Sequence, residues 1–237
     1  MFKHGLVVLA LSFATQANAA VVVTQWNFNS NPADSSTSTG TTVPNIGLGS
    51  ISLLNGVTNP GFNSGNGSSD TSPDNSGFQT TTYAAQGTND KLTGVQFNVS
   101  TLGFENVLVN YDLRHSNTSS RYEQFQYSLD GTSFTDLAFF DGNAGDTWFN
   151  NRTVDLSAIT GANNNASFAF RVVSAFAPNT SAYAPSRSSS SYEGGTWRFD
   201  MVTVSGDAVA AIPEPETYAM FLAGLGLLGF ASRRKQK

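Results

Sequence analysis

Cysteine is absent from this 237-residue chain, and histidine occurs only twice. Without a thiol there is no disulfide framework, no thiol nucleophile and no thiolate metal site. His4 lies in the first few residues, which leaves His115 as the one histidine further along. A His-rich zinc or iron centre is excluded, and a Ser-His-Asp triad has a single candidate base. Neither G-x-S-x-G nor H-E-x-x-H occurs. Charge is also scarce, at 12% Asp, Glu, Lys and Arg with a formal net of −5, which argues against a basic nucleic-acid surface. Long apolar runs are confined to the two ends. Gly, Asn, Ser and Thr are abundant, filling about two-fifths of the chain. Eighteen Phe and an aromatic content of 12% separate it from a disordered linker.

The two ends read as addresses. Lys3, the apolar run Gly5 to Phe13 and the small residues Ala17 and Ala19 form a secretory signal, residues 1–19, for a signal peptidase. At the other end Pro213-Glu214-Pro215 precedes Tyr218 to Ala231, fourteen residues without charge, and Arg233, Arg234, Lys235 and Lys237 follow. Fourteen helical residues extend about 21 Å, short of a hydrocarbon core of roughly 30 Å. Interfacial residues or local thinning must cover the difference. The cations keep this end cytoplasmic and leave the body outside. The prolines hold the segment before the helix extended.

These three parts, Pro213-Glu214-Pro215, the short Gly/Leu-rich helix and the Arg233-Arg234 cluster, resemble the PEP-CTERM sorting signal of Gram-negative bacteria. The same tail is also grouped under an ice-binding C-terminal label, which describes the anchor and not an activity. The resemblance implies that an exosortase, a membrane cysteine protease–transpeptidase, processes the chain at or near the motif. It further implies transient anchoring in the inner membrane, then release to the cell surface or medium in connection with exopolysaccharide, biofilm or floc. Gly224, Gly226 and Gly229 match G-x-G-x-x-G, but no acidic residue follows them and no dinucleotide site is expected.

Between the ends lies one expected domain, residues 20–211, ahead of the 212–237 sorting segment. It holds seven Lys and Arg against fifteen Asp and Glu, a net charge of −8. Its periodicity is of period two. Six short segments read as strands: Val21 to Phe28, Leu92 to Val99, Val107 to Leu113, Tyr122 to Leu129, Ser167 to Ser174 and Trp197 to Val204. Trp197, Phe199 and Met201 are expected on one face of the last. Asp130-Gly131 marks a hairpin. Residues 29–87 read as long loops with two or three short strands, and Ser186 to Ser191 as a polar loop. The expected fold class is all-β, a sandwich or jelly roll. The strands around Phe125, Phe170 and Trp197 resemble carbohydrate-binding and galactose-binding-like sandwich modules, which implies sugar binding.

Chemistry in the body is sparse. Asp141, Asn143 and Asp146 space oxygen ligands in a Gly-rich loop compatible with a structural Ca²⁺, although Asn/Asp/Gly turns have the same composition. Asn29, Asn31 and Asp34 repeat that spacing, and Asp70 and Asp74 lie in a third polar loop. No other cofactor is implied. His115 is expected in a solvated turn. Glu105, Glu123 and Glu193 are expected to pair with surface arginines, with a glycosidase carboxylate pair as the minor reading. Trp26, Trp197 and Tyr111 are expected in the core, while Trp148 and Tyr183, in loop-like contexts, are the candidate sugar platforms. No catalytic residue is expected. The chain reads as a non-enzymatic surface module, with a carbohydrate-binding module and then a glycoside-active enzyme as alternatives.

Overall fold

The computed structural model describes residues 20–209 and 223–225. Eleven strands and one 3-10 turn (Thr160–Ala162) lie among them. In chain order they are β1 (Val21–Trp26), β2 (Gly49–Leu54), β3 (Thr58–Ser64), β4 (Ser76–Thr81), β5 (Gly94–Val99) and β6 (Phe104–His115). They continue with β7 (Tyr122–Ser128), β8 (Thr135–Asp141), β9 (Thr147–Asp155), β10 (Ala169–Ala175) and β11 (Trp197–Ala208). The six period-two segments are β1, β5, β6, β7, β10 and β11. The Gly/Asn/Ser-rich stretch supplies β2, β3 and β4, with Pro60 tolerated because β3 is an edge strand. The β7–β8 turn is longer than a two-residue hairpin. It runs over residues 129–134, with Gly131 at φ 78° and the Asp130 carboxylate accepting the N–H groups of Thr132 and Ser133.

Every strand pairs antiparallel, in two sheets. The first has the order β3-β4-β11-β6-β9, with β1 also pairing β11; the second has the order β2-β5-β10-β7-β8. They pack face to face through aromatic side chains. From the first come Trp26, Tyr111 and Phe199, and from the second Phe97, Phe125 and Phe170, all at most 1% exposed. Phe97 lies 5.3 Å from Trp26 and 6.0 Å from Phe199, so the rings interlock between the layers. Each such side chain stabilises the fold by about 1.5–3 kcal/mol.

One expected face is corrected. Met201 does not continue the inward face of Trp197 and Phe199. It sits at φ 47° in a bulge between Asp200 and Thr203, and the extra residue turns Val202 and Val204 inward instead.

The chain enters and leaves the sandwich at one pole. Val21 pairs with Gly206, Ala208 with Phe104, and the Val209 N–H donates to the Gly103 carbonyl. β11 runs from there through twelve residues, about 36–40 Å, to the opposite pole. That far pole is built from residues 84–91, 116–121, 142–147 and 176–196. Ala223, Gly224 and Leu225 are helical, within the expected apolar helix. No helix among the described residues is long and apolar enough to cross a membrane. The signal segment with Ala17 and Ala19, the Pro213-Glu214-Pro215 motif, and Arg233, Arg234 and Lys235 lie outside the described residues.

Candidate functional site

The loop residues singled out from sequence scatter over the far pole and the first sheet. Both Asp141 oxygens accept from Arg121 at 2.7 Å, and Asp146 accepts from Arg114 at 2.9 Å and Asn117 at 2.7 Å; Asn143 is exposed. The carboxylates proposed as calcium ligands thus face guanidinium groups. Asn29 and Asp34 do meet Asp70 and Asp74. The Asn29 amide donates to Asp70 at 2.7 Å, and the Asp34 N–H donates to Asp74 at 3.1 Å. Among the described residues, no group of three or more His, Cys, Asp or Glu side chains is arranged to hold a metal ion.

Tyr183 is only 3% exposed, stacked on Tyr192 and edge-on to Phe176, both at 4.6 Å. Its hydroxyl donates to the Thr88 and Asn89 carbonyls. Neither ring face is open to a sugar, which corrects the platform expectation; the ring anchors far-pole loops. Trp148 is half-buried on the outer side of the first sheet, over Gly67 and Gly77. Ser186 is buried, its hydroxyl donating to the Gly142 carbonyl, so one end of the serine loop is tied down.

His115 is fully buried instead of solvated. β6 runs two residues past its expected end, and alternation then carries His115 inward with Val109, Tyr111 and Leu113. Nδ1–H donates to the Ser120 carbonyl at 2.8 Å, and the ring is edge-packed on Phe149 and Trp197. Its Nε2 lies 3.7 Å from Glu123 on the second sheet. Glu123 is also fully buried, so its expected surface pairing is corrected: Arg152 Nε reaches its Oε1 at 2.8 Å from β9. Phe140 and Phe149 flank that guanidinium, with centroids at 4.9 and 4.7 Å. Burial, then the Glu123 charge, pushes the nearby Tyr111 phenol well above its usual range.

A second buried cluster, this one an acidic pair, sits on the outer side of the first sheet, where Asp200 and Asp112 are cross-strand partners. A chain segment, residues 64–75, closes over them. The Ser69 N–H donates to Asp112, and the Ser68 hydroxyl donates to Asp200. Asp112 also accepts the Asn151 N–H at the β9 bulge, and Asp200 accepts the Met201 N–H at the β11 bulge. Burial pushes the Asp200 carboxyl up to about 8, with smaller upward contributions from Asp70 and Asp112. Both buried clusters are internal to the packing and closed to substrate.

The outer side of the second sheet presents a different surface. Ser52, Gln96, Arg171, Gln126 and Asp136 are register partners on five successive strands and point away from the core. Arg171 Nε donates to Gln96 at 2.8 Å, and Gln126 donates to Asp136 at 2.8 Å. The Phe134 ring centroid lies 3.5 Å from the Arg171 guanidinium carbon. One residue row away, Phe139 is 43% exposed and stacks on Tyr122 at 5.4 Å. Its ring lines a 390 Å³ cavity with Lys91, Phe176 and Asn179. The outward Gln124 and Gln126 were visible in the alternation of β7. Phe139 was not, because Leu137-Ala138-Phe139-Phe140 breaks period two.

No curated protein matches the sequence. Among solved structures, the chain is similar to the CBM22-1 xylan-binding domain of Paenibacillus barcinonensis Xyn10C, at 12% identity and TM-score 0.46, covering 82% of this chain and all of that one. It is also similar to the CBM22-1–GH10 modules of a Clostridium thermocellum endo-1,4-β-D-xylanase, at 11% identity and TM-score 0.40 over 70% of this chain. It spans only 26% of that xylanase chain. The K1 cleaved adhesin domain of Lys-gingipain from Porphyromonas gingivalis W83 matches at 14% identity and TM-score 0.38, over 68% of this chain and all of that domain. At TM-scores below 0.5 these likenesses carry no weight for ligand or activity. The tail gives the specific match: beginning two residues after Val209, residues 211–235 are a PEP-CTERM protein-sorting motif.

Proposed function

We propose that this chain is an exported surface protein, delivered through its PEP-CTERM tail by an exosortase, whose jelly-roll-like body is a non-catalytic module associated with exopolysaccharide or biofilm. The observation that carries this reading is the sorting motif, placed directly after the last body strand. The apolar run Tyr218 to Ala231 holds the chain in the inner membrane, and Arg233, Arg234 and Lys235 stop it there. Pro213-Glu214-Pro215 is the motif that the processing enzyme reads. Because both ends of the body leave at one pole, its far pole is carried about 36–40 Å from the attachment. The non-catalytic reading draws on the burial of His115 and Glu123, which puts both out of reach of substrate.

Changing Arg233, Arg234 and Lys235 to Glu, or deleting residues 218–237, should abolish sorting, read as loss of surface display in fractionated cells. Unchanged display would overturn the proposal, and glycan turnover by the purified chain would overturn its non-catalytic part. A second reading, a carbohydrate-binding module, is favoured by the polar row and exposed aromatic ring on the second sheet.

A further inference from the structure

Outward positions of a sandwich are polar as a rule, but those of the second sheet are unusual in kind. Gln96, Gln124 and Gln126 point away from the core and are yet only 9%, 5% and 9% exposed. They are held flat by bonded neighbours instead of waving in solvent. Gln96 receives Arg171 and donates to Asn98 at 2.7 Å; Asn98 donates to Ser50 at 3.2 Å. Gln126 donates to Asp136, which also receives Lys91. Gln96, Asn98 and Gln126 each have two amide N–H donors and commit one of them in these hydrogen bonds, whereas Gln124 donates to both the Phe125 and Ala138 carbonyls. The row crosses four strand spacings, about 19 Å. Its ends, Ser52 and Asp136, are exposed, Arg171 is half-buried, and Phe139 in the neighbouring row is exposed.

From this geometry we infer that the outer face of the second sheet binds an uncharged, hydroxyl-rich polysaccharide chain, lying across the strands from Ser52 to Asp136 and stacking on Phe139. This rests on the carbohydrate-binding reading and gives it a location and a ligand class. Fixed amide and guanidinium donors suit sugar hydroxyls, because their ordering cost is met before binding. The exposed Phe139 ring, backed by Tyr122, offers a flat apolar face to the C–H side of a sugar ring, beside a cavity that Lys91, Asn179 and Thr180 also line. Charge selects against polyanions. Lys91 is paired with Asp136, Arg121 with Asp141, and Arg171 is spread over Phe134 and Gln96. Among the described residues Arg171 has no carboxylate partner, but Phe134 covers its guanidinium, Asp136 lies in the same row, and the body is net negative.

The test is affinity electrophoresis of the full-length chain in mild detergent. The gels contain hydroxyethyl cellulose, galactomannan or dextran as neutral polymers, or alginate as a polyuronate. At least one neutral polymer should retard the chain and alginate should not. Phe139→Ala and Gln126→Ala should each weaken that retardation at least tenfold, and Ser52→Arg, at an exposed position, should block it. Trp148→Ala on the first sheet should leave it unchanged, and all four variants should keep the wild-type circular dichroism spectrum. Retardation by no polymer would overturn the carbohydrate reading and this site together. Retardation lost with Trp148→Ala but kept with Phe139→Ala and Ser52→Arg would overturn the site and leave the reading standing. Preference for alginate would overturn the ligand class.

Discussion

At pH 9 the Asp200→Asn variant should melt at a higher temperature than the wild-type chain, and near pH 5 the difference should vanish or reverse. Asp200 sits under residues 64–75, where its carboxylate meets the Ser68 hydroxyl, the Met201 N–H and the charges of Asp70 and Asp112. Burial dominates and pushes its pKa from 3.8 up to about 8. The folded state therefore binds a proton that the unfolded state has released between about pH 4 and 8. Stability falls as pH rises through that window and levels off above it. Four units correspond to an upper bound of about 5 kcal/mol. Asn has the shape of the protonated acid and cannot ionise. Its amide N–H can also serve the buried Asn75 oxygen, which lacks a donor and shares with Asp200 the space a Gly65 Cβ would fill. Melting temperatures of the full-length chain between pH 5 and 9 check this, and equal pH slopes for variant and wild type would refute it. Asp112→Asn should shift the window only slightly, because that charge is a lesser cause.

The parts of the fold read from sequence are those whose own pattern suffices. Phe168, just before β10, and Phe170 and Val172 within it alternate on a buried face, and β11 begins with Trp197 and Phe199, so their strand character is local. β8 and β9 were not foreseen because each breaks period two: β8 carries a Phe pair, and β9 contains Asn150, Asn151 and a bulge at φ 57°. Their pairing is decided by β7 and β6, which lie elsewhere in the chain. The candidate site divides in the same way. The outward position of Gln124, Gln126 and Arg171 follows from alternation. The union of Gln126 and Arg171 into one row with Gln96 and Asp136 depends on register between strands up to about 75 residues apart, which no local spacing encodes. Tyr183 departs from its local context for the complementary reason. A loop context says that a ring is outside a strand, but it does not say what packs over it, and Tyr183 is enclosed by Phe176 and Tyr192. His115 was placed in solvent by the polar residues that follow it, whereas strand parity set its side.

Arg152→Met should destabilise the chain more than Glu123→Gln, although the two residues form one ion pair. The pair joins the sheets: Glu123 comes from β7 and Arg152 from β9, with Nε 2.8 Å from Oε1. The partners differ in what they have left when alone. Glu123 is 0% exposed, and neither carboxylate oxygen has a hydrogen-bond partner, so the charge of Arg152 is its main compensation. Without Arg152 it remains a buried charge beside His115 Nε2 and the Tyr111 hydroxyl, a loss of about 3–5 kcal/mol. Arg152 side-chain exposure is 16%, it donates to the Asp141 carbonyl at 2.7 Å, and Phe140 and Phe149 flank it. Without the Glu123 charge it keeps those contacts and some water, so Glu123→Gln should cost about half as much or less. The double variant Glu123→Gln/Arg152→Met should recover most of the single Arg152→Met loss, because the stranded charge is gone. Urea melts of the four forms at one pH measure the cycle. Additive losses, or an Arg152→Met cost below about 1 kcal/mol, would show that the pair is solvated and contributes little to holding the two sheets together.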